Sequence, residues 1–149
     1  MSKYSGIWPV APTPFRPNGE VDYEGMKRVL DCMIDQGVDG VCILANFSEQ
    51  FLITDAEREA LSRLSLEHVA GRVPVIVTIS HYATHIVLQR ARLSKELGAA
   101  MVMMMPPYHG ALLKGTPDQT FEQFAKVGEV GIPIMIQDAP LSGVELSVP

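Results

Sequence analysis

The sequence predicts an α/β protein with a parallel sheet, built as the opening part of an eight-fold βα barrel. Three observations lead there. Helix patterns alternate with short apolar runs along the chain. Each helix pattern closes on a glycine, at Gly37, Gly71, Gly98 and Gly131, and a β-branched or Met-rich run begins two or three residues later. Those glycines recur roughly every 30 residues, the length of one βαβ unit.

The first strand is expected over Gly6 to Thr13, and it is the weak point, because Pro9, Pro12 and Pro14 each remove a backbone donor. The first helix, about 22–36, opens at Asp22 as its N-cap. A second strand, Asp39 to Leu44, precedes a helix over about 55–70 that starts with the capping box Thr54-Asp55-Ala56-Glu57. The third strand runs from Val73 to Ile79 and its helix over about 83–97, and the fourth strand from Ala100 to Met105. The fourth helix, about 117–130, has Thr116 as its cap, Pro117 at the first helical position and Gln119 three residues after the cap. Pro133 to Gln137 forms the fifth strand, and Ser147 reads as the cap of a further helix with Pro149 in its first turn. All five strands are continuous apolar runs, as suits strands covered on both faces. A doubly wound sheet fits less well, since no glycine-rich phosphate loop follows any strand. A whole barrel takes about 250 residues. The 149 residues therefore cover about the first five strands and four helices of one domain, and roughly three βα units are expected beyond them.

Composition narrows the function classes. With 47% apolar and 19% charged residues the chain reads as globular, and its net charge of -5 with scattered basic residues argues against nucleic acid or an anionic membrane as partner. Cys32, in a helix, and Cys42, in a strand, have no pairing or metal spacing, so a reducing, cytoplasmic setting is expected. The start "MSKYSGIWPV" lacks the apolar run of a signal peptide, and no stretch approaches the roughly 20 apolar residues that span a bilayer.

In a βα barrel the active site is assembled at the C-terminal ends of the strands. Here those ends are polar: "APTPF", "ANFSEQ", "TISHY", "MPPYHG" and "QDAPLSG", in order. This series resembles the dihydrodipicolinate synthase and N-acetylneuraminate lyase family of class I aldolases over essentially the whole chain. The matching pieces are Thr13-Pro14-Phe15, Asn46-Phe47-Ser48-Glu49 where the family usually has Thr-Thr-Gly-Glu, "FLITDAERE" leading into the second helix, Pro107-Tyr108 and Ala139-Pro140.

The resemblance implies a barrel enzyme, commonly a homotetramer, that needs no cofactor and forms a Schiff base between a lysine and the ketone of a small 2-oxo acid. The iminium then serves as an electron sink for loss of a C3 proton or cleavage of the C3–C4 bond. The family carries that lysine on its sixth strand. The lysines here, Lys3, Lys27, Lys95, Lys114 and Lys126, lie near the terminus, on helices or in a loop, and none is expected to end a strand. The 149 residues alone are accordingly expected to be inactive, and to aggregate or associate through unpaired sheet edges. Backbone N–H groups of Asn46, Phe47 and Ser48 are placed to hold the substrate carboxylate, with Glu49 and Thr13 supporting that loop. Of the family's proton-relay residues only the tyrosine after the fourth strand is kept, as Tyr108; Gln137 replaces the tyrosine of strand five and Asn46 the hydroxyl residue of strand two. An amide hydrogen-bonds but does not titrate near neutrality, so the phenol relay cannot run as such.

The synthases of the family also place an arginine shortly after the fifth-strand proline, where this chain reads Leu141-Ser142-Gly143. Without that bidentate partner a dicarboxylic product fits poorly. A polyol tail, hydrogen-bonded by Gln137, Ser142, Asn46 and His109, fits better. The expected substrate is thus a 2-keto-3-deoxy sugar acid, dehydrated or cleaved, and among the family's branches "LANFSEQ" and "QDAPLSG" look most like the 2-keto-3-deoxyarabonate dehydratase type. Dihydrodipicolinate synthase or N-acetylneuraminate lyase activity, and a noncatalytic half-barrel that binds or assembles, are the alternatives. His81 and His85 have no third ligand and suggest no metal; Met103-Met104-Met105 reads as core; Arg90 and Arg92 read as a solvated helix face.

Overall fold

The computed structural model describes residues 4–109, 113–139 and 146. The chain divides into two compact units, Met1–Thr78 with Leu97–Ala99, and Ile79–Glu96 with Ala100–Pro149.

The first unit contains α1 (Tyr23–Asp35), β1 (Val41–Ile43), a single 3-10 turn (Asn46–Ser48), α2 (Asp55–Val69) and β2 (Val75–Thr78). β1 and β2 pair in parallel, Val41 beside Val75 and Ile43 beside Val77. Every residue of both strands is buried, as their unbroken apolar sequences require. α1 packs against α2, turning Met26 and Leu30 inward from one helix and Leu61 and Val69 from the other. The Thr54 capping box is fully formed: its hydroxyl accepts from the Glu57 N–H at 3.2 Å and the Glu57 carboxylate accepts from the Thr54 N–H at 2.8 Å.

The second unit contains α3 (Thr84–Glu96), β3 (Met101–Met104), β4 (Tyr108–His109), β5 (Leu113–Lys114), α4 (Pro117–Gly128) and β6 (Ile134–Ile136). β3 and β6 pair in parallel, Met103 beside Met135. α3 lies against α4 and β3. Val87 and Ala91 of α3 and Val127 of α4 are buried, and Met103, Met104 and Met105 are core residues as expected. Thr116 caps α4 reciprocally with Gln119, with Pro117 in the first turn. Among the described residues no helix is long and apolar enough to cross a membrane.

All four helices, and four of the five expected strands, lie inside their expected spans. Gly37, Gly71, Gly98 and Gly131 all take the left-handed conformation, with φ between 71° and 83°, which closes each helix where a side chain would be strained.

Four expectations need correction. Residues 6–13 do not form a strand: Val10 makes an isolated parallel bridge to Cys42. Around it Asp39 N–H donates to the Ile7 carbonyl, Cys42 N–H to Pro9 and Ala11 N–H to Cys42, at 2.8–2.9 Å, but Pro9 has no N–H with which to extend the ladder backward. Asp22 sits at the N-cap of α1 as expected; the Gly25 N–H holds its carboxyl below the ordinary value of 3.8, and the carboxylate also accepts from Arg28 Nη2 at 3.2 Å. β6 is not covered on both faces, since Met135 and Ile136 are exposed, as befits a strand paired only with β3 among the described residues. Lys114 does end a strand, the two-residue β5, which pairs antiparallel with β4 and leaves Lys114 exposed. Arg90 is not on a solvated face, as set out below. The expected helix start at Ser147 and Pro149 falls outside the described residues.

One ion-paired cluster locks α1 to α2. Asp31 accepts from Arg72 Nη2 at 2.8 Å and lies 2.9 Å from His68 Nε2. The Arg72 hydrogen bond, reinforced by His68, holds the Asp31 carboxyl below its ordinary value of 3.8. A depressed acid stabilises the fold above its unfolded-state value and loses that contribution as pH falls through its folded-state value. The Asp31→Asn protein is therefore expected to melt lower than wild type at pH 6, with the gap narrowing as both are titrated from pH 4 to pH 2, followed by calorimetry.

Candidate active site

The loop after β1 is held in an unusual shape. Leu44 and Glu49, which bracket residues 45–48, both adopt left-handed backbone, at φ 59° and 56°. Such conformations are costly for residues with a side chain and persist where the surroundings over-determine them. Here the surroundings are a buried hydrogen-bond network. Ser48 N–H donates to Ala45 O at 2.9 Å, Ser48 Oγ donates to Ala11 O at 2.6 Å, and Thr13 Oγ1 donates to Ser48 O at 2.8 Å. Gln50 Nε2 donates to Asn46 Oδ1 at 2.6 Å. Arg58, buried on α2, sends Nη1 to Thr78 O at 2.6 Å and Nη2 to Gln50 O at 3.4 Å, tying this loop to the end of β2.

Thr13, Asn46 and Ser48 are thus brought together, in different capacities. Ser48 is wholly buried with both of its donors committed inside the protein, so it secures the loop instead of offering the N–H expected of it. The Phe47 N–H makes no hydrogen bond among the described residues, and its ring is 83% exposed. Asn46 is half-buried. Glu49 is exposed and its carboxylate makes no hydrogen bond among the described residues. The loop-orienting side chain is its neighbour Gln50.

In the second unit, β6 is followed by Gln137, whose N–H donates to Met104 O at 2.9 Å; its Oε1 is shielded from solvent and unpartnered among the described residues. Tyr108 and His109 form β4, opposite Lys114 and Leu113. Ser142, with Pro140, lies outside the described residues. Behind these ends, Ser80 Oγ accepts from Met105 N–H at 3.0 Å and Ser80 O from Arg90 Nη1 at 2.7 Å. Arg90 therefore braces a strand end, because the arc of α3 that buries Val87, Ala91 and Ser94 also turns Arg90 inward. Gln123, buried on α4, donates to the carbonyls of His81 and Tyr82 and to Thr84 Oγ1. With Tyr82, Thr84, Pro107 and Gln119 it lines a cavity of about 160 Å³. An open groove of about 830 Å³ between α3 and α4, lined by Leu88, Arg92, Lys95, Lys126, Glu129 and Val130 among others, lies away from the strand ends.

His81 Nδ1 accepts from Ala83 N–H at 3.0 Å, so that nitrogen is occupied. No group of three or more His, Cys, Asp or Glu side chains is arranged for a metal among the described residues. Lys27 pairs with Glu24 at 2.7 Å and Lys95 donates to Val130 O at 2.6 Å, both on helices. Lys126 lies 3.8 Å from Glu122 on α4.

The network makes a testable demand on stability. Thr13→Val keeps shape but leaves the Ser48 carbonyl without its buried donor, and should destabilise the full-length protein by about 1–3 kcal/mol, read as a lower denaturant midpoint with an unchanged slope.

Comparison with known proteins places these strand ends in a family. Residues 3–149 match the sequence profile of the dihydrodipicolinate synthetase family. The L-2-keto-3-deoxyarabonate dehydratase of Azospirillum brasilense is 58% identical over 148 residues, 99% of this chain and 48% of that one. Dihydrodipicolinate synthase from Aquifex aeolicus superposes with a TM-score of 0.90 at 30% identity, over 97% of this chain and 48% of that one. A prophage protein of the dihydrodipicolinic acid synthase family from Escherichia coli K12, solved in complex with pyruvate, gives 0.90 at 26% identity, over 97% and 48%. The chain spans about half the length of the curated relatives it matches. With the alternating parallel strands and helices of a partial βα barrel, and strand ends matched along nearly its whole length, the chain belongs to the dihydrodipicolinate synthetase family.

Proposed function

We propose that the full-length protein is a Schiff-base-forming lyase acting on a 2-keto-3-deoxy sugar acid such as 2-keto-3-deoxyarabonate. The observation that carries this reading is the 58% identity to an L-2-keto-3-deoxyarabonate dehydratase, and the fifth-strand segment agrees with it, having Gln137 in place of a tyrosine and Leu141-Ser142-Gly143 in place of an arginine. An amide and a hydroxyl suit a neutral polyol; a second carboxylate calls for a guanidinium.

In this mechanism the substrate carboxylate sits on the loop after β1, against the Phe47 N–H and the Asn46 amide, held by the Thr13, Ser48 and Arg58 bonds. A lysine outside these residues adds to the C2 ketone and expels water, and the iminium draws electrons from the C3–H bond. Loss of the C3 proton gives an enamine. That enamine can expel the C4 hydroxyl as water, which is dehydration; retro-aldol cleavage instead breaks C3–C4. Tyr108 supplies a phenol for proton transfer, while Gln137, His109 and Ser142 hydrogen-bond the hydroxyls and the departing water. A cytoplasmic homo-oligomer, tetrameric as in the family, completes the proposal.

Treating the full-length protein with borohydride in the presence of pyruvate or 2-keto-3-deoxyarabonate should give a covalent adduct with each, seen by mass spectrometry, and dehydration products with the sugar acid alone. No adduct with either compound sinks the Schiff-base mechanism. Turnover of pyruvate with an aldehyde, and none of the sugar acid, moves the protein to the synthase or sialic acid lyase branch.

A further inference from the structure

The cavity of about 160 Å³ beside α4 is lined by an amide that the protein leaves half used. Gln123 is 1% exposed. Its Nε2 donates to the Tyr82 carbonyl at 3.2 Å, to the His81 carbonyl at 3.4 Å and to Thr84 Oγ1 at 3.4 Å. Carbonyl oxygens only accept, so these two fix which end of the amide faces the loop after β2; an amide turned the other way would set its oxygen against both of them. The Gln123 Oε1 is therefore directed away from that loop. It is buried and has no partner among the described residues. A buried amide oxygen without a donor is costly, and ordered water is the common remedy where there is room for it and a second polar group to hold it.

Both conditions are met. One water needs only about 10–15 Å³ of such space, so the cavity has room for one on Gln123 and for others beside it. The remaining lining residues are Tyr82, Thr84, Pro107 and Gln119. Gln119, one turn before Gln123 on α4, is anchored as firmly: its Oε1 accepts from the Thr116 N–H at 3.0 Å, which leaves its Nε2 to donate elsewhere. Gln119 is also exposed, so the cavity is in reach of solvent at that end. The lining thus includes an amide acceptor, an amide donor and two hydroxyl-bearing side chains, and none of its residues is charged. Such a lining suits a neutral molecule that both donates and accepts, and it offers nothing to offset the desolvation of an ion.

We infer that this cavity is a binding site for resident water, held by a hydrogen bond that the water donates to Gln123 Oε1. The water satisfies one end of an amide whose other end ties α4 to the loop after β2. That tie then costs no unsatisfied buried group, which is what allows a glutamine to stand at an inward position of the helix.

The test is a high-resolution crystal structure of the full-length protein, grown and frozen without small polyols, so that water is the one small neutral donor present. It should show a water about 2.8 Å from Gln123 Oε1, with Nε2 still directed at the Tyr82 carbonyl. Gln123→Met keeps most of the volume and removes both polar ends, and its structure should have lost that water. A wild-type Oε1 with no water in hydrogen-bond reach, or one met by a protein donor instead, overturns the inference. So does a water that stays in the same place in Gln123→Met. The wild-type structure decides the matter even if the methionine variant does not fold, and because no substrate enters either experiment, the result stands apart from the lyase reading.

Discussion

The hydroxyl of Ser48 donating to the carbonyl of Ala11 is the contact on which the loop after β1 depends. It joins the segment before α1 to a turn bracketed by two left-handed residues, and Thr13 closes the same circuit from the other side. Neither bond reaches solvent. Inside a protein such bonds are worth less for their mean energy than for the cost of breaking them, since each broken one strands a buried polar atom. That is how Leu44 and Glu49 can stay in conformations that a free loop would abandon. Under the proposed function such an arrangement has its donors in place before a ligand arrives, which limits the ordering that has to accompany binding.

Arginine has the same part at the end of β2 and just beyond it. Arg58 meets the carbonyl of Thr78 and Arg90 that of Ser80. A guanidinium can satisfy several carbonyls while remaining charged, and its donors have a fixed geometry. Polar bracing of this kind suits a fold whose strands are apolar along their lengths and polar where they stop. Under the proposed function, Asn46 and Gln137 bring amides to strand ends within that braced frame, and an amide hydrogen-bonds without titrating near neutrality.

Much of the frame was legible in the sequence because its signals are local. Caps at Thr54 and Thr116 and closing glycines bounded the helices closely, and unbroken apolar runs located β1, β2, β3 and β6. The first strand was misread because the prolines that weaken a ladder do not prevent a single bridge beside β1. Site residues were legible only where a motif named them. Thr13 and Glu49 were both named as supports of the loop; Thr13 Oγ1 donates to Ser48 O, while the side chain that reaches Asn46 is Gln50, one residue beyond the left-handed turn at Glu49. The signal for Arg58 was present and unread: it shares the arc of α2 with Leu61, Ser65 and Val69, where a charged residue at an inward position implies a buried acceptor. Gln123 follows the same logic with Thr120 and Val127 on α4.

The central claim is that the loop after β1 is a carboxylate site already formed in the free protein. Its most direct test is a crystal structure of the full-length protein reduced with borohydride in the presence of pyruvate. The account predicts the carboxylate of the trapped adduct at about 2.9 Å from the Phe47 N–H, with Leu44 and Glu49 still left-handed. A carboxylate bound elsewhere, or a loop that rebuilds itself around it, would contradict the account.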